Sequence, residues 1–450
     1  MKIHLIAIGG AAMHNLAIAL HKKGFEVTGS DDVVYEPSRT RLSSYGLLPN
    51  EMGWNESRIT PDIDAIILGM HARVDNPELL KAQELGLKIY SYPAYIYEQS
   101  KDKIRVVIGG SHGKTTITSM ILHVLNYYEK EFDYLVGAQL AGFDTMVKIT
   151  DSAPIMVIEG DEYLASPIDR RPKFHLYHAN IAVISGIAWD HINVFPTFAD
   201  YVSQFAKFID TITLGGKLIY CELDEELKQT VEQSKADVVK IPYGIPAHEV
   251  KDGVTYLLPQ HTALNVFGDH NLMNLNAAKQ VCEQLGIEGF AFDEAIASFS
   301  GAAKRLELLS SVNQTNVYKD FAHSPSKLKA TIQAVKAQFT NRKLVAMMEL
   351  HTFSSLNKDF LDEYKNSMQA ADIAIVYIDD QTFVQKRMEP LTADQIRTAF
   401  DDERILFYSS STELEAYLKS LDFAQTNLLL MSSGNYAGLD LSKLASELKS

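Results

Sequence analysis

The chain has 450 residues, of which 46% are hydrophobic, and its formal net charge is −15. A chain of this length is too long to fold around one ordinary hydrophobic core, so we expect two or three domains. The acidic balance argues against nucleic acid as a partner, since a nucleic-acid binder carries a basic face. No apolar run is long enough to span a bilayer, so we predict a cytoplasmic protein with no membrane partner. The two cysteines, Cys221 and Cys282, lack a metal-binding spacing and are expected to be buried thiols.

Short apolar runs alternate with helical patterns through the first hundred residues. We predict strands at 3–8, 26–29 and 65–68 and helices at 12–22 and 77–85. Strands separated by helices indicate a parallel, doubly wound sheet.

The same pattern restarts near residues 103 and 301, so we predict an α/β fold with three domains, at 1–100, 101–300 and 301–450. Residues 240–266 differ and predict a small β excursion, followed by a helix at 273–285. The remaining predicted strands are 104–108, 155–158, 181–184, 217–221, 317–319, 344–348, 373–377 and 427–431.

A glycine-rich segment follows the strand at 104–108 and opens a helix that runs to about residue 128. Its residues are Gly110, Ser111, His112, Gly113, Lys114, Thr115 and Thr116. Glycines let backbone N–H groups close on phosphate oxygens, and the helix N-terminus adds partial positive charge. We expect Lys114 to neutralise the β and γ phosphates and Thr115 to coordinate Mg²⁺. The common phosphate-loop pattern has a glycine at the position of Ile108, so this segment departs from that pattern. The alternative to a phosphate-binding loop is a chance glycine-rich turn.

Phosphoryl transfer needs a metal ion, so carboxylates are expected at the same sheet edge as the phosphate loop. The strand at 155–158 leads into Glu159, and the strand at 181–184 leads to Asp190 and His191. Glu159 and His191 are therefore candidate Mg²⁺ ligands. Because Mg²⁺ prefers oxygen, His191 could instead hold a metal-bound water, and either acidic residue could simply cap a helix.

Several motifs together resemble the Mur ligases, enzymes of peptidoglycan synthesis. They stand in the family's order across nearly the whole chain: GGSHGKTT, IEGDEYLAS, WDHINVF, GDHNLMNLNAA, KRLELL and DFAHSP. The resemblance implies a Rossmann-like UDP-binding domain, a central P-loop ATPase-type domain with a parallel sheet, and a C-terminal Rossmann-like domain. It also implies an ATP-dependent, ADP-forming ligase that uses ATP and Mg²⁺.

The resemblance also implies roles for individual residues. ATP is expected at residues 110–116, and its metal at Thr115, Glu159 and His191. The adenine and ribose contacts are expected from His270, Asn271 and Asn274, and the third domain is expected to contribute Arg305, Asp320 and His323. The UDP-sugar is expected at Gly10, Met13, Ser30, Asp31 and His71. Because these residues lie on different modules, we expect the site to be completed by domain closure.

Within the family, the sequence is most similar to the members that use UDP-N-acetylmuramate. One of them adds L-alanine, and the other adds the recycled tripeptide L-alanyl-γ-D-glutamyl-meso-diaminopimelate. The segment DEYLASPIDRRPKFHLYHANIAV resembles the second, so we expect the tripeptide, with L-alanine as the alternative. Residues 349–355 contain no arginine, although members that use L-alanine often have arginines there.

The expected chemistry is activation of the lactyl carboxylate as an acyl phosphate, followed by attack of the acceptor amine. His191, His323 and Asp320 are all candidates to deprotonate that amine. Three other readings are a folate-polyglutamate-type ligase, a catalytically silent UDP-sugar sensor and an NAD-dependent dehydrogenase. The ligase of the folate type would not need a UDP-binding module before the phosphate loop, and the silent sensor would not need an intact phosphate loop. The dehydrogenase would need the G-x-G-x-x-G spacing, which is absent here.

Overall fold

A computed structural model describes residues 1–140, 142–189, 194–301, 306–312 and 314–448. These residues form compact units, one comprising Met1–Ile245 with Met273–Ile296 and the other Pro246–Leu272 with Ala297–Ser450. None of the helices in the described ranges combines the length and the apolar character of a membrane-spanning segment.

The first module of the first unit is a parallel sheet in the order β2-β1-β3-β4. Its elements are β1 (Lys2–Ile6), α1 (Ala11–Lys22), β2 (Glu26–Ser30), α2 (Ser38–Ser44), β3 (Ala65–Leu68), α3 (Pro77–Glu84), β4 (Ile89–Ser91) and α4 (Tyr92–Ser100). The doubly wound sheet is confirmed. β1 ends two residues earlier than predicted because Ala7 has a positive φ of 67°, which an extended strand cannot accommodate.

The second module of this unit is a larger sheet in the order β11-β10-β9-β5-β8-β6-β7. Its elements are β5 (Ile104–Gly109), α5 (Lys114–Tyr127), β6 (Phe132–Leu135), β7 (Val147–Lys148), β8 (Ile155–Glu159), β9 (Ile181–Ile184), α6 (Phe198–Asp210), β10 (Lys217–Cys221), α7 (Glu225–Gln233), β11 (Val239–Tyr243), α8 (Asp269–Gln284, which belongs to this unit from Met273 onward) and α9 (Gly289–Ile296). β6 and β7 are antiparallel, and the other neighbours are parallel. The buried central strands consist almost entirely of apolar residues, as expected where helices cover both faces.

The predicted β excursion at 240–266 is partly wrong. β11 pairs with β10 and belongs to the central sheet. The excursion itself is a small antiparallel sheet of β12 (His248–Lys251), β13 (Val254–Leu257) and β14 (Thr262–Leu264). The following helix begins at Asp269 instead of 273, because the carbonyl of Gly268 already accepts the N–H groups of Asn271 and Leu272.

The second unit also contains a mixed sheet in the order β15-β16-β20-β17-β18-β19. Its elements are β15 (Glu307–Val312), β16 (Thr315–Asp320), α10 (Pro325–Gln338), β17 (Lys343–Glu349), α11 (Lys358–Leu361), β18 (Ile373–Tyr377), α12 (Asp380–Lys386), α13 (Ala393–Phe400), β19 (Leu406–Tyr408), α14 (Ser411–Ser420), β20 (Thr426–Met431) and α15 (Leu441–Glu447). Successive residues of β17 enter opposite apolar clusters, Val345 and Met347 in one and Ala346 and Met348 in the other. Both faces are therefore buried, and the predicted α/β class is confirmed.

Candidate functional site

The glycine-rich loop lies at the carboxyl edge of the central sheet. It follows β5, which pairs with β8 on one side and β9 on the other, and α5 begins at Lys114. The predicted strand, loop and helix are thus confirmed. The register places Ile108 opposite Glu159, so the carboxylate at the end of β8 lies beside the loop.

Two glycines of the loop have backbone conformations that exclude a side chain. Gly110 has φ 121°, and a Cβ there would overlap Ser185 Oγ; Gly113 has φ 77°, and a Cβ there would overlap Asn274 Oδ1. Ser185 also donates a hydrogen bond to the carbonyl of His112. The loop is therefore packed closely against the end of β9 and against α8, which brings the predicted residue Asn274 next to it.

Replacing Gly113 by alanine is expected to lower the free energy of unfolding by roughly 2–4 kcal/mol, because it combines left-handed strain with overlap on Asn274. Gly86→Ala is the matched control, since Gly86 has φ 64° and nothing within 4 Å of an added Cβ. That control should cost only about 1 kcal/mol. Urea unfolding of both variants tests this, and equal losses would contradict the close packing at Gly113.

Lys114 is held by the protein's own oxygen atoms. Its Nζ donates to the carbonyl of Gly110 at 2.7 Å and to Glu162 Oε2 at 2.8 Å. Burial disfavours the charged amine, but the carboxylates of Glu162 and Asp161 outweigh burial and raise the pKa of Lys114. The residue is therefore a fixed cation at the mouth of the loop, which suits binding of phosphate.

Thr115 and Glu159 form a pair of oxygen donors beside Lys114. Thr115 Oγ1 donates to Glu159 Oε1 at 2.7 Å, and the N–H of Gly137 donates to Glu159 Oε2 at 2.8 Å. Burial and the charge of Asp161 raise the pKa of Glu159, while these hydrogen bonds and Lys114 act in the opposite direction. A hydroxyl and a carboxylate on one spot are the hard donors that Mg²⁺ takes, so the residues fit the expected ion.

The third expected ligand, His191, lies outside the described residues, as does Arg305. Among the described residues, no group of three or more His, Cys, Asp or Glu could hold a metal ion. The metal roles of Thr115, Glu159 and His191 stay predictions.

In the first module, several predicted UDP-sugar residues lie together at the carboxyl edge of its sheet. Gly10 precedes α1, and a Cβ placed on it would lie 3.7 Å from Met13 Cγ and 3.8 Å from His71 Nδ1. Asp31 Oδ2 accepts the N–H of Gly9 at 2.7 Å. Ser30 instead donates its hydroxyl to Glu78, a fully buried carboxylate. Ser30 thus has a partner within the protein, and the ligand-binding roles of this group stay predictions.

The raised pKa of Asp31 is expected to make the free energy of unfolding depend on pH. Burial raises its pKa from 3.8 to about 6, although the N–H groups of Gly9 and Asp32 donate to it. The folded chain holds this proton more tightly than the unfolded chain, so its stabilising contribution is full below pH 4 and is lost as pH rises through 6. The free energy of unfolding should fall by up to about 3 kcal/mol from this group. Urea unfolding from pH 4 to 8 should show this decline relative to Asp31→Asn; parallel curves would contradict it.

The predicted residues of the second unit are held by local hydrogen bonds. Asp320 accepts the N–H of Leu306 at 2.6 Å and that of Ala322 at 2.7 Å. A His323 ring nitrogen lies 2.9 Å from the carbonyl of Phe321, and Asn271 donates to the carbonyl of Phe267 at 3.0 Å. Asp320 therefore organises the chain around the end of β16. The roles of these residues, and of His270, at a nucleotide stay predictions.

Four residues that sequence reasoning did not select take part in these arrangements. Glu78 accepts hydrogen bonds from Ser30 and from the N–H of Asn55. Burial alone would raise the pKa of Glu78, but its hydrogen bonds, of which the one with His4 has the largest effect, outweigh burial and lower the pKa. Glu162 and Tyr201 contact the loop, and Asn15 of α1 accepts the N–H of Met146 at 3.0 Å. Glu162 lies inside the motif IEGDEYLAS, which was the one available signal.

Three protein-family models together match nearly the whole chain. Residues 2–103 match the model "Mur ligase family, catalytic domain", residues 108–282 match "Mur ligase middle domain", and residues 304–434 match "Mur ligase, glutamate ligase domain". These ranges follow the order expected from the motifs.

Individual relatives agree with the family models. The UDP-N-acetylmuramate–L-alanine ligase of Caldicellulosiruptor bescii is 33% identical over 83% of this chain and 83% of its own. The UDP-N-acetylmuramate–L-alanyl-γ-D-glutamyl-meso-2,6-diaminoheptandioate ligase of Haemophilus influenzae is 29% identical over 74% of this chain and 76% of its own. The structure of the Thermotoga maritima UDP-N-acetylmuramate-alanine ligase has a TM-score of 0.67 at 21% identity, covering 99% of this chain and 98% of that one. The chain therefore belongs to the Mur ligase family of ATP-dependent, ADP-forming amide ligases.

Proposed function

We propose that this enzyme joins the lactyl carboxylate of UDP-N-acetylmuramate to the amine of L-alanyl-γ-D-glutamyl-meso-diaminopimelate in the cytoplasm, during peptidoglycan recycling. The observation that carries the ligase chemistry is the Thr115–Glu159 pair beside Lys114 at the phosphate loop. Both named relatives act on UDP-N-acetylmuramate, which supports that donor. The domains at 1–100, 101–300 and 301–450 are proposed as the UDP-sugar, ATP and acceptor modules.

The proposed reaction needs activation of a poor electrophile. A lactyl carboxylate oxygen attacks the γ-phosphorus of ATP, the bond to the β-phosphate oxygen breaks, and ADP leaves. Lys114 offsets the charge that develops on the phosphate oxygens, and the backbone of residues 110–113 holds the phosphates in line. Thr115 and Glu159 would hold Mg²⁺, which supplies further charge stabilisation when bound. The deprotonated acceptor amine then attacks the acyl carbon, and phosphate leaves with the carboxylate oxygen.

The choice of acceptor is supported by a cavity in the second unit. It has a volume of about 650 Å³ and lies at the carboxyl ends of β17, β18 and β20. Its lining residues are Glu349, His351, Asp379, Thr382, Gln385, Ser433, Gly434, Asn435, Ala437 and Gly438. This space is several times larger than L-alanine, whereas a tripeptide would occupy much of it.

The charges of this cavity agree with an acceptor that carries an additional ammonium group. Its described lining includes the carboxylates of Glu349 and Asp379 and no lysine or arginine. Glu349 is fixed by hydrogen bonds from Ser432 Oγ and the N–H of Tyr436. Within the described chain, the buried hydroxyl of Ser433, another lining residue, has no hydrogen-bond partner. The distal ammonium group of diaminopimelate can pair with these carboxylates, and L-alanine has no second amine. The three carboxylates of the tripeptide have no cationic partner in this described lining.

L-alanine is the second candidate, because the 33% identical relative is named an L-alanine ligase. Phosphate release with ATP and UDP-N-acetylmuramate should be compared for L-alanine, the tripeptide and the corresponding tetra- and pentapeptides. We expect kcat/KM for the tripeptide to exceed that for L-alanine by at least roughly 100-fold. The tripeptide acetylated on its distal amine is the matched control and should lose roughly tenfold or more. Equal or better turnover with L-alanine would contradict the acceptor assignment.

A further inference from the structure

A buried network links both ends of the phosphate loop through residues that are not part of it. Tyr201 of α6 lies with its hydroxyl 2.9 Å from Ser111 Oγ and donates to Glu162 Oε1 at 3.3 Å. Ser111 Oγ also accepts the N–H of Ala188 at 2.9 Å. The other carboxylate oxygen of Glu162 pairs with Lys114. Glu162 and Tyr201 are 1% and 0% exposed, so this arrangement is part of the protein interior.

The ion pair between Lys114 and Glu162 competes with the proposed role of Lys114, which is to bind the phosphates of ATP. A carboxylate and a phosphate oxygen compete for the same ammonium group, and a buried anion at this point also repels phosphate. Tyr201 can hold the carboxylate by its other oxygen when the lysine moves to a new partner. The site thus has an internal anion and a support that keeps this anion in place.

We propose that Glu162 is the resident counter-ion of Lys114, that the phosphates of ATP displace it, and that its return to Lys114 promotes release of ADP. Glu162 is a positioning residue that acts through Lys114, and Tyr201 is the support that retains it. The inference rests on the proposed binding of the phosphates at residues 110–116.

The test is Glu162→Gln in the full-length enzyme. The amide has the shape of the carboxylate but carries no charge. Its single oxygen can still accept from Lys114, while its NH₂ group takes the position facing Tyr201 and can donate to the tyrosine oxygen. The Kd for ADP, measured by calorimetry, should fall roughly three- to tenfold, and the dissociation rate in stopped flow should fall with it. The kcat should also fall. A merely structural role would weaken nucleotide binding, so unchanged or weaker binding of ADP would overturn the proposal.

Two further variants separate the possible causes. Asp133→Asn removes another buried lysine–carboxylate pair, to Lys103 at 2.5 Å, and should lower the melting temperature without changing the Kd for ADP. Tyr201→Phe keeps the carboxylate and its charge, so it should not tighten binding; tightening there would overturn the counter-ion assignment. Lys114→Ala should weaken ADP binding, since it removes the cation that pairs with the phosphates. Unchanged binding would refute both the proposed phosphate site and this inference. Loss of binding in Lys114→Ala without tightening in Glu162→Gln would refute the inference alone.

Discussion

Replacing Lys114 by alanine is expected to lower ATP-dependent phosphate release by roughly 10²- to 10³-fold. Lys114 is the cation at the mouth of the loop, and its Nζ lies 2.8 Å from Glu162. The charge that develops on the transferred phosphoryl group would have no such partner in the variant. The measurement is phosphate release with saturating ATP, UDP-N-acetylmuramate and acceptor.

The variant also leaves Glu162 buried without its cation, which should lower the free energy of unfolding by roughly 3 kcal/mol. Lys114→Ala combined with Glu162→Gln is the control, because it removes both charges of the pair. This double variant should recover most of the lost stability but none of the activity. Near-normal turnover in either variant would contradict the role of Lys114.

Replacing Glu159 by glutamine is expected to lower turnover by a similar factor, roughly 10²- to 10³-fold, and to raise the Mg²⁺ concentration needed for half-maximal activity. The amide fills the same volume but is a neutral and weaker ligand for a hard cation. Steady-state rates over a Mg²⁺ titration, with ATP kept saturating, provide the measurement.

Thr115 offers a matched pair of variants for this site. Thr115→Val keeps the shape and removes the hydroxyl that donates to Glu159, whereas Thr115→Ser keeps the hydroxyl. The valine variant should behave like Glu159→Gln, and the serine variant should stay close to wild type. Wild-type Mg²⁺ dependence in both Glu159→Gln and Thr115→Val would refute the proposed metal site.

Features that depend on neighbouring residues were predicted well from sequence. The phosphate loop is one example, because an apolar strand, closely spaced glycines and a helix start all lie within residues 104–127. The family motifs were equally readable, since each is a short segment. Local patterns failed where one backbone angle decided the outcome, as at Ala7, whose positive φ ends β1 early.

Features that depend on strand order could not be predicted in the same way. The ion pair of Lys114 with Glu162 joins residues 48 positions apart, and it requires β8 to lie beside β5. The contact of Tyr201 with Ser111 spans 90 positions. A sequence indicates that such residues are polar or aromatic, but their contacts follow only from the folded sheet. The cavity proposed for the acceptor likewise joins the ends of three strands and could not be predicted from any one segment.

The central claim is that the donor carboxylate attacks the γ-phosphorus held at residues 110–116. It is tested most directly with UDP-N-acetylmuramate labelled with ¹⁸O in both lactyl carboxylate oxygens. After complete turnover with ATP and the acceptor, mass spectrometry of the released phosphate should show a single ¹⁸O atom in each ion, transferred from the carboxylate. Phosphate without the label, formed together with the amide product, would contradict the acyl phosphate and the account built on it.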